Sequence, residues 1–135
     1  MIRLLYISTA RQPIVPATLD DILRVSRRNN VRADVTGLLV VGGRRFLQAL
    51  EGPDAAVEAT FERIGRDPRH FAVVRLARDA VGTRQFGGWA MGVQEGRAPG
   101  RGATIDQAVA ALIAPIADPS LKGYFTGFAE RQAAA

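Results

Sequence analysis

Apolar residues along the chain follow two different periods, and the switches between them mark out the elements. Ile2-Arg-Leu-Leu-Tyr-Ile-Ser8 is a short apolar run closed by the loop from Gln12 to Pro16, which predicts a strand over 2–8. From Thr18 the pattern becomes helical. Thr18 can cap free N–H groups, Asp20 and Asp21 favour the positive end, and Ile22, Leu23, Val25 and Ser26 follow along one side. Asn29-Asn30 is expected to close this helix, because asparagine tolerates the left-handed conformation of a terminus. Two strand-like runs, 35–41 and 45–51, are joined by Gly42-Gly43-Arg44 and predict a hairpin. Alternation puts Phe46, Gln48 and Leu50 on one face of the second run, with Leu47 and Ala49 on the other. Gly52-Pro53-Asp54 opens a second helix carrying Val57, Phe61 and Ile64, stopped at Asp67-Pro68. A strand over 71–78, a turn at Gly82 and a last strand around Trp89 to Val93 complete the series.

The order βαββαββ predicts an α+β, ferredoxin-like sandwich with both helices on one sheet face. This core spans 1–96, and a Gly- and Pro-bearing linker covers 97–103. A helical extension over 104–135 follows. Its first helix starts on the capping box Thr104-Ile105-Asp106-Gln107, carries Val109, Leu112 and Ile113, and breaks at Pro115. Its second starts at Asp118-Pro119 and lines up Leu121, Tyr124, Phe125 and Phe128. These two C-terminal helices are expected to cover the other face of the sheet.

Composition narrows the chemistry. With 135 residues and 47% hydrophobic content, the chain can bury one substantial core. No apolar run approaches the roughly 20 residues of a membrane span. The first residues lack the order of a signal peptide, so a cytoplasmic protein is expected. The absence of cysteine removes disulfides, thiolate metal sites, cysteine nucleophiles and chromophores attached through a thiol. A single histidine, His70, cannot make a two-histidine metal site, and no metal centre is expected. The net charge of +5 permits an acidic partner, nucleic acid included. The arginines are interleaved with acids along the whole chain, however, which reads as a solvated surface.

Gln48 is the residue that most needs an explanation. A primary amide among apolar neighbours must find partners for its oxygen and its NH₂, since an unpaired buried polar group costs about 1–3 kcal/mol. Taken alone, it reads as an amide bonded to backbone. Tyr6 and Ser8 share a face of the first strand, which in a ferredoxin-like sheet lies beside the strand holding Gln48. Hydroxyl and amide together make a polar network that suits a heterocycle pocket. Asn30 adds a second amide, which also serves as a helix cap. Arg63 and Asp67, at i,i+4, read as a surface ion pair, and His70 as a surface group favoured by the helix dipole. Neither Gly42-Gly43 nor Gly87-Gly88 has the setting of a phosphate loop. The adjacent acids Asp20 and Asp21 do not face each other, so no hydrolase pair is formed.

An ordered set of short motifs carries a resemblance. It comprises Tyr6-x-Ser8; Asn30 followed by Val35-Thr36-Gly37-Leu38-Leu39; Phe46-Leu47-Gln48-x-Leu50-Glu51-Gly52; Asp67-Pro68-Arg69-His70; and Arg84-x-Phe86-x-x-Trp89-x-Met91. Each block is weak alone, but the set in this order over residues 1–95 resembles the BLUF domain, a blue-light sensor using FAD, in its short stand-alone form. The resemblance implies a noncovalent flavin, FAD with FMN or riboflavin possible on overexpression, lying between the two helices over the sheet. Tyr6 would be the photochemical electron donor, with Gln48 bridging its hydroxyl and the flavin. Asn30 would hold the carbonyl edge of the ring. Ser8, Ile22, Ser26, Arg63, Asp67 and His70 would complete the binding set.

The implied action is a light-driven switch without substrate turnover. Proton-coupled electron transfer from Tyr6 through Gln48 would leave the amide rotated or tautomerised, two outcomes the sequence leaves open. Trp89 and Met91, on one face of the last strand, are candidate relays to the terminal helices, and ordinary packing explains them equally well. Output would pass to a downstream signalling protein, from a homodimer or higher oligomer, with no membrane involved. The alternative is a ferredoxin-like nucleic-acid-binding module without chromophore. Such a module should expose aromatics on its central strands, where this chain has leucine, valine and glutamine. A small acyl-phosphate hydrolase of this fold would need an anion loop that Ser8-Thr9-Ala10-Arg11-Gln12-Pro13 does not form.

Overall fold

The computed structural model describes residues 1–87, 92–95, 109–110, 113–114 and 116–134. Its elements are β1 (Ile2–Ala10), α1 (Pro16–Ala33), β2 (Thr36–Gly42), β3 (Arg45–Gly52), α2 (Asp54–Gly65), β4 (His70–Ala80), β5 (Gly92–Glu95) and α3 (Pro119–Ala134). The sheet has the order β4-β1-β3-β2-β5. β1 to β4 pair antiparallel, while β5 joins β2 in parallel. This is the α+β, ferredoxin-like arrangement, extended by one strand.

Period-two alternation sorts the buried residues into two cores. Leu4, Tyr6, Leu39, Phe46 and Leu50 face α1 and α2, where they meet Leu19, Leu23 and Val57. Leu5, Leu38, Val40, Leu47 and Ala49 face the opposite way and meet Val109, Ile113, Leu121, Phe125 and Phe128. The C-terminal residues therefore cover the second face, although Tyr124 of α3 stays largely exposed.

The largest departure from expectation is at both ends of α1. The helix starts at Pro16 with Val15 in the N-cap position, without a side-chain cap and without an acid in its first turn. Proline at the first helical position loses no hydrogen bond, and its fixed φ is already helical, so Pro16 starts the helix ahead of Thr18. At the other end the helix runs through Asn29-Asn30 to Ala33, and Asp34 takes the left-handed conformation (φ 59°) in their place. Asn30 is thus buried in the last turn instead of capping it. At the end of β3, Gly52 is required by close approach, because a Cβ there would lie 2.6 Å from the Asp34 carbonyl oxygen. Among the described residues, the last strand covers Gly92–Glu95. Trp89 and Met91, the linker over 97–103 and the capping box at 104–107 lie outside the described residues.

Candidate functional site

A cavity of about 140 Å³ opens between α1 and α2 above the sheet. For scale, an apolar cavity of roughly 150 Å³ accepts a benzene-sized ring. Its floor comes from the strands. Tyr6 on β1, Gln48 on β3 and Leu39 on β2 are direct cross-strand neighbours, so one row of three side chains lies across the sheet. Phe46, two residues before Gln48, extends the same face.

The Tyr6 hydroxyl donates to Gln48 Oε1, and both residues are almost fully buried. Burial pushes the hydroxyl's pKa upward, and the negative charge of Asp67 adds to the effect, so the phenol keeps its proton. The Tyr6 ring is held against Phe61 of α2 at 5.3 Å between centroids. Besides the accepting Oε1, the amide of Gln48 carries two N–H donors.

The walls follow from helical spacing. Ile22, Ser26 and Asn30 are successive i,i+4 positions of α1 and line one side, with Val25 and Asn29 beside them. Thr60, Arg63 and Ile64 of α2 line the other. Asp67, Arg69 and His70 close the end where α2 gives way to β4. Asp67 does not pair with Arg63 across the turn. It accepts from Arg69 at 2.6 Å, and Arg69 also reaches Asp21 of α1 at 3.3 Å. The hydrogen bond from Arg69 holds the Asp67 carboxyl below its ordinary pKa. His70 is likewise no simple surface group. Its Nε2 lies 2.7 Å from the Ile64 carbonyl oxygen, which can only accept, so Nε2 carries the hydrogen. In the neutral ring Nδ1 then accepts from the Ser8 hydroxyl at 2.9 Å.

Among the anticipated binding residues, Tyr6, Ile22, Ser26, Asn30, Gln48, Arg63, Asp67 and His70 all meet at this cavity. Ser8 is not on its wall and stands behind His70 as a hydrogen-bond partner. The lining residues that sequence reasoning passed over are Val25, Asn29, Leu39, Phe46, Thr60, Ile64 and Arg69. Val25 and Phe46 were within reach of the periodicities already used, since they flank Ile22 and Gln48. Leu39 needed the β2–β3 register, and Arg69 sits in a turn with no period at all. Among the described residues, no group of three or more His, Asp or Glu side chains could hold a metal ion. None of the described helices is long and apolar enough to cross a membrane.

Apolar walls around converging amides, a guanidinium and a carboxylate suit a planar heteroaromatic ring with a polar edge. Comparison with known proteins agrees. Residues 1–92 match the family described as BLUF, sensors of blue-light using FAD, and the chain belongs to that family. The blue light- and temperature-regulated antirepressor BluF of Escherichia coli K12 is 36% identical over 84 residues, which is 62% of this chain and 21% of that protein. The chain thus spans about a fifth of that relative's length. Among solved structures, Klebsiella pneumoniae BlrP1 with FMN and cyclic diGMP superimposes with a TM-score of 0.82 at 30% identity, over 96% of this chain and 34% of the other. The dark state of BlrB, a BLUF protein, gives 0.74 at 26% identity and covers 98% of this chain and 95% of its own. Residues 1–92 thus form a blue-light-sensing module of the flavin-using BLUF family.

Proposed function

We propose that the module works as a hydrogen-bond switch centred on Tyr6 and Gln48, within a sensory core over 1–96 that drives a helical extension over 104–135. The observation that carries this reading is the buried bond from the Tyr6 hydroxyl to Gln48 Oε1 at the floor of the cavity. A bound flavin would supply blue-light absorption and, once excited, an electron acceptor. Tyr6 would be the residue that supplies the electron, and Gln48, already bonded to its hydroxyl, the group that takes the hydroxyl proton. Return of both would leave the amide with its hydrogen-bonding edge changed. A buried amide can hold such a change because its donor and acceptor ends are not interchangeable among fixed partners. Asn30, Ile22, Ser26, Arg63, Asp67 and His70 orient the ring, while Ser8 holds His70 in position.

The flavin in this reading is FAD, bound without a covalent link, with FMN or riboflavin taking its place on overexpression. The family's description supports FAD, and the absence of cysteine fits a noncovalent ligand. Acid precipitation should release all of the flavin into the supernatant; flavin kept in the pellet would refute this. Output passes to a downstream protein from a homodimer or larger oligomer, with Trp89 and Met91 as relays. The deciding experiment is an absorption spectrum of the purified protein before and after blue light. A small reversible red shift of the flavin bands is expected. A colourless protein that binds RNA would overturn the reading.

A further inference from the structure

Three residues beyond Gln48 on β3, and on the opposite face of the sheet, Glu51 is fully buried. Cross-strand pairing puts Arg3 of β1 on one side of it and Thr36 of β2 on the other. Arg3 Nε donates to Glu51 Oε2 at 3.2 Å and the Thr36 hydroxyl donates to Oε1 at 3.3 Å. The backbone N–H of Gln85 donates to Oε2 at 3.0 Å, and that of Phe86 to Oε1.

Three of these donors reach onward to the same place. Arg3 Nη1 lies 3.7 Å from Asp118 Oδ2, and Asp118 Oδ1 caps α3 by accepting from the N–H groups of Ser120 and Leu121. Gln85 accepts through Oε1 from the Ala117 N–H at 3.2 Å. The buried Phe86 ring meets Phe125 of α3 edge to face, 6.2 Å between centroids. One carboxylate therefore gathers polar contacts that tie the start of α3 to β1 and β3, the strands carrying Tyr6 and Gln48, beside the apolar packing of Leu121 and Phe125 on the same face.

We propose that Glu51 is the coupling residue of the switch, a positioning residue that carries a displacement of β3 to Arg3, Gln85 and Phe86 and so to the N-terminal half of α3. This rests on the Tyr6–Gln48 reading above and names a route, additional to Trp89 and Met91, by which its output reaches α3. A charged row suits the task. Its partners cannot let go one at a time without stranding a buried charge, so α3 follows the strands or detaches from them as a unit.

The test is hydrogen exchange on the flavin-loaded full chain, in darkness and under blue light, with the flavin spectrum recorded on the same samples. In the unaltered protein, amides over 117–128 should change protection by about fivefold or more, the lower end of ordinary coupling between sites. Glu51→Gln keeps the shape and removes the charge; it should retain the red shift and lose most of this difference. Asp118→Asn serves where Glu51→Gln does not fold, since asparagine caps a helix as well as aspartate but cannot pair with Arg3. A light-dependent difference of wild-type size in these variants would overturn the proposal. So would an unaltered protein that shows the red shift and no change over 117–128. An unaltered protein with no red shift would instead overturn the photochemical reading beneath it.

Discussion

The two faces of the sheet each bury one polar row, and the rows differ in kind. On the face toward α1 and α2, Tyr6 and Gln48 are neutral and lie at the floor of a cavity. On the face toward α3, Arg3 and Glu51 are charged, nearly inaccessible and tied into a loop and a helix cap. A neutral amide beside a phenol has several hydrogen-bond arrangements of comparable free energy. A buried ion pair has one good arrangement, and losing a partner costs about 3–5 kcal/mol. The first row can therefore change state, while the second can only hold or release. On the proposed reading, rearrangement and leverage are separated across one sheet, along strands common to both.

The sharpest way to break this comparison is on the cavity side. Gln48→Leu preserves roughly the volume and removes donor and acceptor together, so the light-induced flavin shift should vanish while flavin still binds. Tyr6→Phe removes only the hydroxyl and should abolish the shift as well. Difference spectra decide both cases, and a normal shift in either variant would take away the assigned roles. On the other face the loss should be in stability. Glu51→Ala strands Arg3 and is expected to cost about 3–5 kcal/mol in denaturant unfolding in the dark, with an unaltered flavin spectrum in the folded fraction. If Gln48→Leu costs more stability than Glu51→Ala, the division of labour between the faces is wrong.

Smaller effects sharpen the picture within the cavity. Asn30 is buried in the last turn of α1, and Asn30→Ala should weaken flavin binding by about 1–3 kcal/mol, roughly 5- to 150-fold in Kd, read by titrating flavin onto the stripped protein. The smallest effect expected is with pH. Burial raises the Tyr6 pKa above its ordinary value of 10.0, so the folded state favours the neutral phenol. Its contribution to stability is complete below that value and declines as pH rises above it, because only the unfolded chain ionises readily there. Tyr6→Phe should accordingly flatten the alkaline limb of the stability curve, measured by unfolding between about pH 9 and 11. An alkaline limb identical in the two proteins would show that the phenol is not isolated from solvent.

Much of this architecture was readable from residue order alone. Period two along 45–51 separated Phe46, Gln48 and Leu50 from Leu47 and Ala49, and each set faces the expected side. The i,i+4 steps from Ile22 through Ser26 to Asn30 placed three side chains on one stripe. These are local properties, set by backbone geometry within a few residues. The ends of α1 were harder, because Thr18 and Asn29-Asn30 offered plausible caps that competed with Pro16 and Asp34. The helix continues past Asn30, whose own side chain is buried, to Ala33, and the left-handed Asp34 ends it.

What only the folded chain decided was which distant residues meet. Glu51 stood in the sequence as an acid inside an apolar strand, with nothing nearby to mark its partners. Arg3 lies 48 residues away, the N–H groups of Gln85 and Phe86 lie 34 and 35 away, and Asp118 is further still. Likewise the sequence could place Tyr6 and Gln48 on buried faces, but their direct opposition is a matter of β1–β3 register, and Arg69 joins them through a turn that has no periodicity. Hydrophobic period selects a face because it depends on the strand or helix alone. Pairing of buried polar groups depends on strand register and loop closure, which are settled only when the whole sheet forms.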